Sequence, residues 1–462
     1  MPQDAPLRFD SLNLHPALAA SLQQLAYTEM TPVQALALPV ALLGQDVIAQ
    51  AQTGSGKTAA FALALLERLN PRHFGIQALV LCPTRELADQ VSTEIRRLAR
   101  ALDNTKVVTL CGGVALRGQK ASLENGAHVV VGTPGRILDH LRRGTLDLQA
   151  LNTAVLDEAD RMLDMGFLDD IAEVMSQCPA QRQTLLFSAT YPSEIEKLAS
   201  RFMREPKVIK APSLDAAPRI EQRFYEVDWA HKFNTVVQIL LHFAPLSTIA
   251  FCNTRQRCNE LVSFLRTHGI SALALHGDLE QRERDQVLVQ FANQSLSVLV
   301  ATDVAARGLD IQDLEAVINV DIAAEAAVHV HRIGRTGRAG QTGRALSLVS
   351  MDEMGAVGQI EKYQGLASSW HSTQELSAQA LTRLEPPMAT LQITGGRKDK
   401  IRPGDLLGAL TAQAGFAREQ IGKISINDFT SYVAVQRNIA LAAMAKLNAG
   451  KVKGRKVKVR LV

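Results

Sequence analysis

The chain has little cysteine and no long apolar run, and each shortage removes a class of protein. Its 462 residues hold five cysteines: Cys82, Cys111, Cys178, Cys252 and Cys258. They are scattered, with no C-x-x-C pair and no histidine cluster beside them, so neither a disulfide framework nor a zinc site is expected. Reduced thiols and a cytoplasmic location fit that pattern. No stretch of about 18 uninterrupted apolar residues occurs, the length a membrane-spanning helix needs. The opening "MPQDAPLRFDSLNLHP" also lacks a basic start followed by an apolar run, so no secretory leader is expected.

What is present is core-forming residues and an uneven charge. At 47% hydrophobic, the chain is long enough for two or three domains, each burying its own core. The net charge of +4 hides a segregation: residues 386–462 carry 14 Lys/Arg against 4 Asp/Glu, whereas residues 1–385 carry 36 against 42. Positive charge collected at one end suggests a polyanion partner. Apolar periodic runs lie between those charges, which favours a folded basic domain over a solubilising tail.

Through residues 1–350, short apolar runs such as "ALVLCP", "HVVVGTP" and "TAVLDEAD" alternate with helix-spaced segments such as "RELADQVSTEIRRLARAL". That alternation predicts parallel sheets covered by helices on both faces. The expected boundaries are a first α/β domain over 1–210, a second over 211–366, and a linker over 367–385. From 386 to 462 the order β-α-β-β-α-β predicts a ferredoxin-like or RNA-recognition-type α+β fold.

The stretch "AQTGSGKT", Ala51 to Thr58, lies between an apolar strand and a helix, the context of a phosphate loop. Gly54 and Gly56 let backbone N–H groups curl round phosphate oxygens. Lys57 can reach the β/γ-phosphates, and Thr58 can offer a hydroxyl to Mg²⁺. Ala51 departs from the general pattern, which begins with glycine. A hundred residues on, Asp157 and Glu158 end an apolar strand, where such a fold places a magnesium-holding carboxylate and a carboxylate that polarises the attacking water.

The letters Asp157-Glu158-Ala159-Asp160 make the sequence resemble the DEAD-box RNA helicases, whose phosphate loop reads A-x-T-G-x-G-K-T, so that Ala51 fits. The resemblance covers about residues 9–350 through a dozen ordered motifs and implies two tandem RecA-like domains that use ATP and Mg²⁺. It implies that Gln34 reads the adenine edge, with Phe9 stacked on the base, and that Thr53, Gly54, Ser55, Gly56, Lys57 and Thr58 cradle the phosphates. Asp310 is expected near the ribose. Lys57, Asp157 and Glu158, with Arg335 and Arg338 as arginine fingers, are the implied catalytic set. Arg85, Gly113, Thr133 and Arg136 in the first domain, and Thr254, Gln281, Arg284 and Thr302 in the second, are the implied RNA contacts. "SAT" (188–190) is the implied link between nucleotide and RNA. One departure stands: "DIAAEAAVHV" lacks the Pro and Tyr usual ahead of "HRIGRTGR".

The basic C-terminal segment does not follow the aromatic pattern of an ordinary RNA-recognition domain. Only Tyr432 and Val433 match it, and Gln392 stands where the other aromatic would be, so base stacking on the sheet face is poorly supported. The candidates are instead Arg397, Lys398, Lys400 and Arg402 in one loop, and Lys451, Lys453, Arg455 and Lys456 near the end. The segment resembles that of a bacterial subgroup of the family. This implies a 23S ribosomal RNA hairpin near the peptidyl-transferase centre as target and large-subunit precursors as partners. The alternative is an ATP-regulated RNA clamp or assembly scaffold with little unwinding. A DNA substrate is disfavoured by the same motifs.

Overall fold

The computed structural model describes residues 7–51, 54–191, 193–211, 220–306, 314–337, 342–376 and 384–462. The described residues form three sheets. The first has β1 (Val47–Gln50), β2 (Ala78–Leu81), β3 (Val107–Leu110), β4 (Val129–Gly132), β5 (Thr153–Asp157), β6 (Gln183–Ser188) and β7 (Lys207–Lys210), in the order β3-β4-β2-β5-β6-β1-β7. Every pair is parallel. Strands such as "ALVL" and "VVVG" are buried throughout because helices cover both faces, which is why they read as continuous apolar runs.

The second sheet repeats the plan with β8 (Ile220–Glu226), β9 (Thr248–Phe251), β10 (Ala272–Leu275), β11 (Val298–Ala301), β12 (Ala316–Asn319), β13 (Gly343–Val349) and β14 (Trp370–His371), in the order β10-β11-β9-β12-β13-β8-β14. All its pairings are parallel. The short β14 comes from the segment expected to be a linker: it pairs with β8 at the sheet edge, and Leu376 and Leu384 join this domain's core.

The third sheet is antiparallel: β15 (Met388–Thr394), β16 (Ile421–Ile426), β17 (Thr430–Gln436) and β18 (Val459–Leu461), in the order β16-β17-β15-β18. Helices Pro403–Gly408 and Ala440–Ala449 complete the expected β-α-β-β-α-β order. Leu391, Ile393, Val433 and Val435 alternate toward these helices and form the core, so Thr390, Gln392, Tyr432 and Ala434 share the opposite face.

The chain divides into two compact units, one holding residues 1–217 and the other 218–307 with 311–462. The second and third sheets therefore belong to one unit.

Candidate nucleotide and RNA sites

In a parallel α/β sheet the carboxyl ends of the strands are where loops can present functional groups. The first sheet uses this edge throughout. The phosphate loop follows β1, Arg85 follows β2, Gly113 follows β3, Thr133 and Arg136 follow β4, Glu158 follows β5, and Ala189 and Thr190 follow β6. Motifs more than a hundred residues apart meet because β1, β6 and β5 are neighbours.

Gly54 and Gly56 take φ values of 83° and 91°, the left-handed region glycine tolerates best. A Cβ on Gly56 would also strike the Gln34 side chain. The Gln34 amide is committed locally: its oxygen accepts from the Thr31 backbone N–H (2.8 Å), and its nitrogen donates to the Gly56 carbonyl (3.1 Å). Gln34 thus joins the start of helix Pro32–Leu42 to the phosphate loop. The Lys57 ammonium, itself buried, donates to the Ala51 carbonyl at 2.9 Å. Phe9 is 4% exposed and meets Tyr27 edge-on at 5.8 Å, so its ring also packs on the core of this domain.

Asp157 is 3% exposed, and burial pushes its carboxyl up to about 7 against the opposing pull of Lys57. Its Oδ1 has no hydrogen-bond partner. A buried carboxylate oxygen without a donor, close enough to feel the Lys57 charge, suits a hard divalent cation such as Mg²⁺. Glu158 stands at φ 54° ahead of helix Ala159–Asp164 and forms a buried ion pair with Arg161.

Asp160 is the residue whose role only the structure reveals. Its Oδ2 accepts from the Ala189 N–H (3.1 Å), the Thr190 N–H (2.8 Å) and the Thr190 hydroxyl (2.8 Å). Burial raises its pKa, but these hydrogen bonds outweigh burial and hold the carboxyl below its ordinary value. The acidic strand end is therefore tied directly to the "SAT" segment. Among the first-unit RNA candidates, Arg136 turns inward and donates to the Val114 carbonyl (3.0 Å) and Gln119 Oε1 (3.1 Å). Thr133 precedes helix Pro134–Arg142, Gly113 is exposed with φ 68°, and Arg85 has a buried Nη1 with no partner.

In the second sheet, Thr254 caps helix Arg255–Thr267, accepting from the Arg257 N–H at 3.2 Å. Gln281 donates to Asp285 (2.7 Å), Arg284 donates to the Ala305 carbonyl (2.7 Å), and Thr302 is buried beyond β11. Arg335 is also buried. Sequence reasoning missed Arg332, three residues earlier. Its guanidinium grips both oxygens of Asp303 (2.6 and 2.7 Å), the Asp321 carbonyl (2.7 Å) and Asn253 (2.9 Å). One arginine thus joins the loops after β9, β11 and β12. Thr53, Asp310 and Arg338 lie outside the described residues.

The C-terminal basic residues converge although about fifty positions separate them. Lys453 donates to the Lys400 carbonyl (2.6 Å) and pairs with Asp405 (3.7 Å), while Arg455 lies 3.9 Å from Asp399. Arg397, Lys398, Lys400, Arg402, Lys451, Lys453, Arg455 and Lys456 are all exposed. The sheet face of this domain is closed instead. Thr390 is fully buried, its hydroxyl bonded to Asn293 (3.0 Å) and Ser295 (2.6 Å) after helix Gln281–Ala292. Tyr432 and Gln392 are buried beside it, and Arg282 and Asp285 of that helix act electrostatically on the Tyr432 hydroxyl. The face an ordinary RNA-recognition domain offers to bases is thus packed on the second α/β domain.

A phosphate loop coupled through buried carboxylates to a second motif, with a second parallel sheet of similar plan, is the arrangement of a nucleotide-binding protein with tandem RecA-like domains. Family models for the DEAD/DEAH box helicase, the helicase conserved C-terminal domain and the DbpA RNA binding domain match residues 31–198, 231–340 and 390–461. The chain belongs to the DEAD-box ATP-dependent RNA helicases. It is 52% identical to the ATP-dependent RNA helicase DbpA of Escherichia coli, over 98% of this chain and 99% of that protein. It is 45% identical to the helicase CshA of Geobacillus kaustophilus, over 71% of this chain and 70% of that one. The structure of Saccharomyces cerevisiae Dbp5 bound to RNA and ADP BeF3 matches with a TM-score of 0.72 and 32% identity, covering 80% of this chain and 96% of that one.

Proposed function

We propose that this RNA helicase separates RNA duplexes locally and is directed by its C-terminal domain to a 23S ribosomal RNA hairpin near the peptidyl-transferase centre, in assembly of the large ribosomal subunit in the cytoplasm. The observation that carries the targeting is the convergence of eight exposed cations from two distant segments onto one domain. Supporting it is likeness to the E. coli relative along the whole chain, C-terminal domain included. The proposed division is 1–210, 211–366 and 386–462, with 367–385 between.

In the chemistry we assign, Gly54, Gly56 and Lys57 hold the phosphates of ATP, with Thr53 and Ser55 beside them. Thr58 and Asp157 hold Mg²⁺, which when bound neutralises phosphate charge. Glu158 orients and polarises the attacking water, and Arg335 and Arg338 neutralise charge growing on the γ-phosphoryl oxygens. Asp160 passes the state of this site to Ala189 and Thr190, and from there to the RNA-facing loops. Phe9, Gln34, Asp310, Arg85, Gly113, Thr133, Arg136, Thr254, Gln281, Arg284 and Thr302 keep the roles the family motifs imply. A grip on backbone reads helix geometry rather than sequence, so preference must come from the C-terminal domain.

The test is RNA-stimulated ATPase with three activators: a large-subunit ribosomal RNA hairpin fragment, an unrelated RNA of equal length, and DNA of matching sequence. Selective stimulation by the ribosomal fragment, lost when Lys398, Lys400, Lys453 and Arg455 are changed to Ala, is the expected result. Equal stimulation by both RNAs would remove the target. ATP turnover without any strand separation would favour the clamp reading.

A further inference from the structure

We propose that Phe429 is a stacking platform for an unpaired RNA base, set in the basic patch of the C-terminal domain. The proposal rests on reading that domain as the RNA-targeting element, and it names a residue that carries no charge and matches no aromatic motif position.

Residues 386–462 contain three aromatics, Phe416, Phe429 and Tyr432. Tyr432 is buried in the closed sheet face, and Phe416 packs on the domain core with the Lys446 ammonium 4.8 Å from its ring centre. Phe429 is 69% exposed. It sits in the turn between β16 and β17, directly beside the first basic loop. The Arg397 N–H donates to the Asn427 carbonyl (2.8 Å), the Lys398 N–H to the Asp428 carbonyl (2.9 Å), and the Gly395 N–H to the Phe429 carbonyl (3.0 Å). The Arg397 guanidinium also pairs with Asp428 at 3.1 Å.

These bonds make the turn a built feature. The Asn427 N–H closes it on the Thr430 carbonyl at 2.8 Å. At Gly396 a Cβ would collide with the Asn427 carbonyl oxygen and the Asp428 backbone, so the two loops can lie this close only because that residue is glycine. The ring is therefore carried on a fixed backbone, and stacking on it orders little further chain.

Chemistry selects the occupant. An apolar ring left in water gains by covering itself, and the loop bonded to its turn carries Arg397, Lys398 and Lys400, with Arg455 3.9 Å from Asp399 of the same loop. Cations beside an aromatic face suit a phosphate chain whose base stacks on the ring. With the sheet face closed, this turn is where the domain still presents an aromatic. A protein partner would need an acidic surface with an apolar pocket, and is the competing outcome.

The test measures binding of the full chain to a fluorescent large-subunit ribosomal RNA hairpin fragment and to an unrelated hairpin with an unpaired loop, across a salt series. Loss of one stacked base corresponds to about 5- to 150-fold weaker binding. Phe429→Ala should therefore weaken binding within that range at every salt concentration, with the slope of log K against log[salt] unchanged. Lys398→Ala should instead flatten the slope by about 0.7 to 0.9. Phe429→Trp should bind like the wild type, and its added emission should be quenched by RNA. Phe429→Ala affinity within twofold of wild type, or Phe429→Trp emission unmoved by bound RNA, overturns the stacking role and points to a protein partner for the ring. If changing Arg397, Lys398 and Lys400 together to Ala leaves affinity for both RNAs unchanged, the RNA-targeting reading fails, and the stacking proposal fails with it.

Discussion

His329 should make the second unit sensitive to mild acid, and its magnitude follows from its surroundings. The imidazole is fully buried, stacked on Phe224 at 6.0 Å, and neither ring nitrogen has a hydrogen-bond partner. Burial first, and then the Arg332 charge, lower its pKa from 6.5 to about 4. A histidine whose folded pKa is depressed binds fewer protons folded than unfolded, so stability is full above about pH 6.5 and falls as pH drops toward 4. With those two values the loss is about 2 kcal/mol at pH 5 and about 3 kcal/mol below pH 4. Glu353, held below its ordinary value by its bond to Lys232 despite burial, loses its contribution only as pH falls through about 4.5 and below, outside the pH 7.5 to 5 interval of the assay. The assay is denaturant unfolding of the full chain followed by tryptophan emission. Both tryptophans, Trp229 and Trp370, lie in this unit, and Trp370 is 5.8 Å from Phe224, so the signal reports the right half. Wild type should lose about 2 kcal/mol more than His329→Phe between pH 7.5 and pH 5. Equal losses in the two proteins would refute the reasoning.

Three further variants test the nucleotide site and the domain junction. Glu158→Gln should stop ATP turnover while leaving ATP and RNA binding within a fewfold of wild type, and Lys57→Ala should weaken ATP binding itself. Residual wild-type hydrolysis in the first, or unchanged nucleotide affinity in the second, would contradict the assigned roles. Thr390→Val keeps the shape but leaves the Asn293 amide donor unpaired, and the Ser295 oxygen without the proton it accepts from Thr390, in a buried interface, a cost of about 1–3 kcal/mol. It should lower the urea midpoint and raise hydrogen exchange in β15, and wild-type protection there would show that the contact does not hold the domain.

The division between what sequence reveals and what it hides follows from range. Runs such as "VVVG" and the turn glycines act locally, so the parallel sheets, the phosphate loop and the acidic strand end are legible in order along the chain. Motif order also brings Asp157, Glu158 and Lys57 to one edge, because Asp157 ends β5, Glu158 follows it and Lys57 follows β1, a neighbour but one in the same parallel sheet. Phe9 marks the limit of such reading, because an aromatic near a binding motif looks the same in sequence whether or not it also packs on the core. Its edge-on contact with Tyr27 is a pairing that only the tertiary structure reveals.

Long-range pairing decided the rest. Asp160 reaches Ala189 and Thr190 because β5 and β6 are neighbours. Arg332 collects Asp303, Asp321 and Asn253 because three strand ends converge, and no spacing in the sequence encodes that convergence. The buried face of Thr390, Gln392 and Tyr432 is polar, which in a sequence reads as solvent-facing. It is closed because Asn293 and Ser295 supply the matching hydrogen bonds from a domain almost a hundred residues earlier. Local pattern thus fixed the elements and their chemistry. Tertiary structure alone decided which polar groups are partners and which remain free to meet RNA, because hydrogen-bond satisfaction is a property of what packs against a residue.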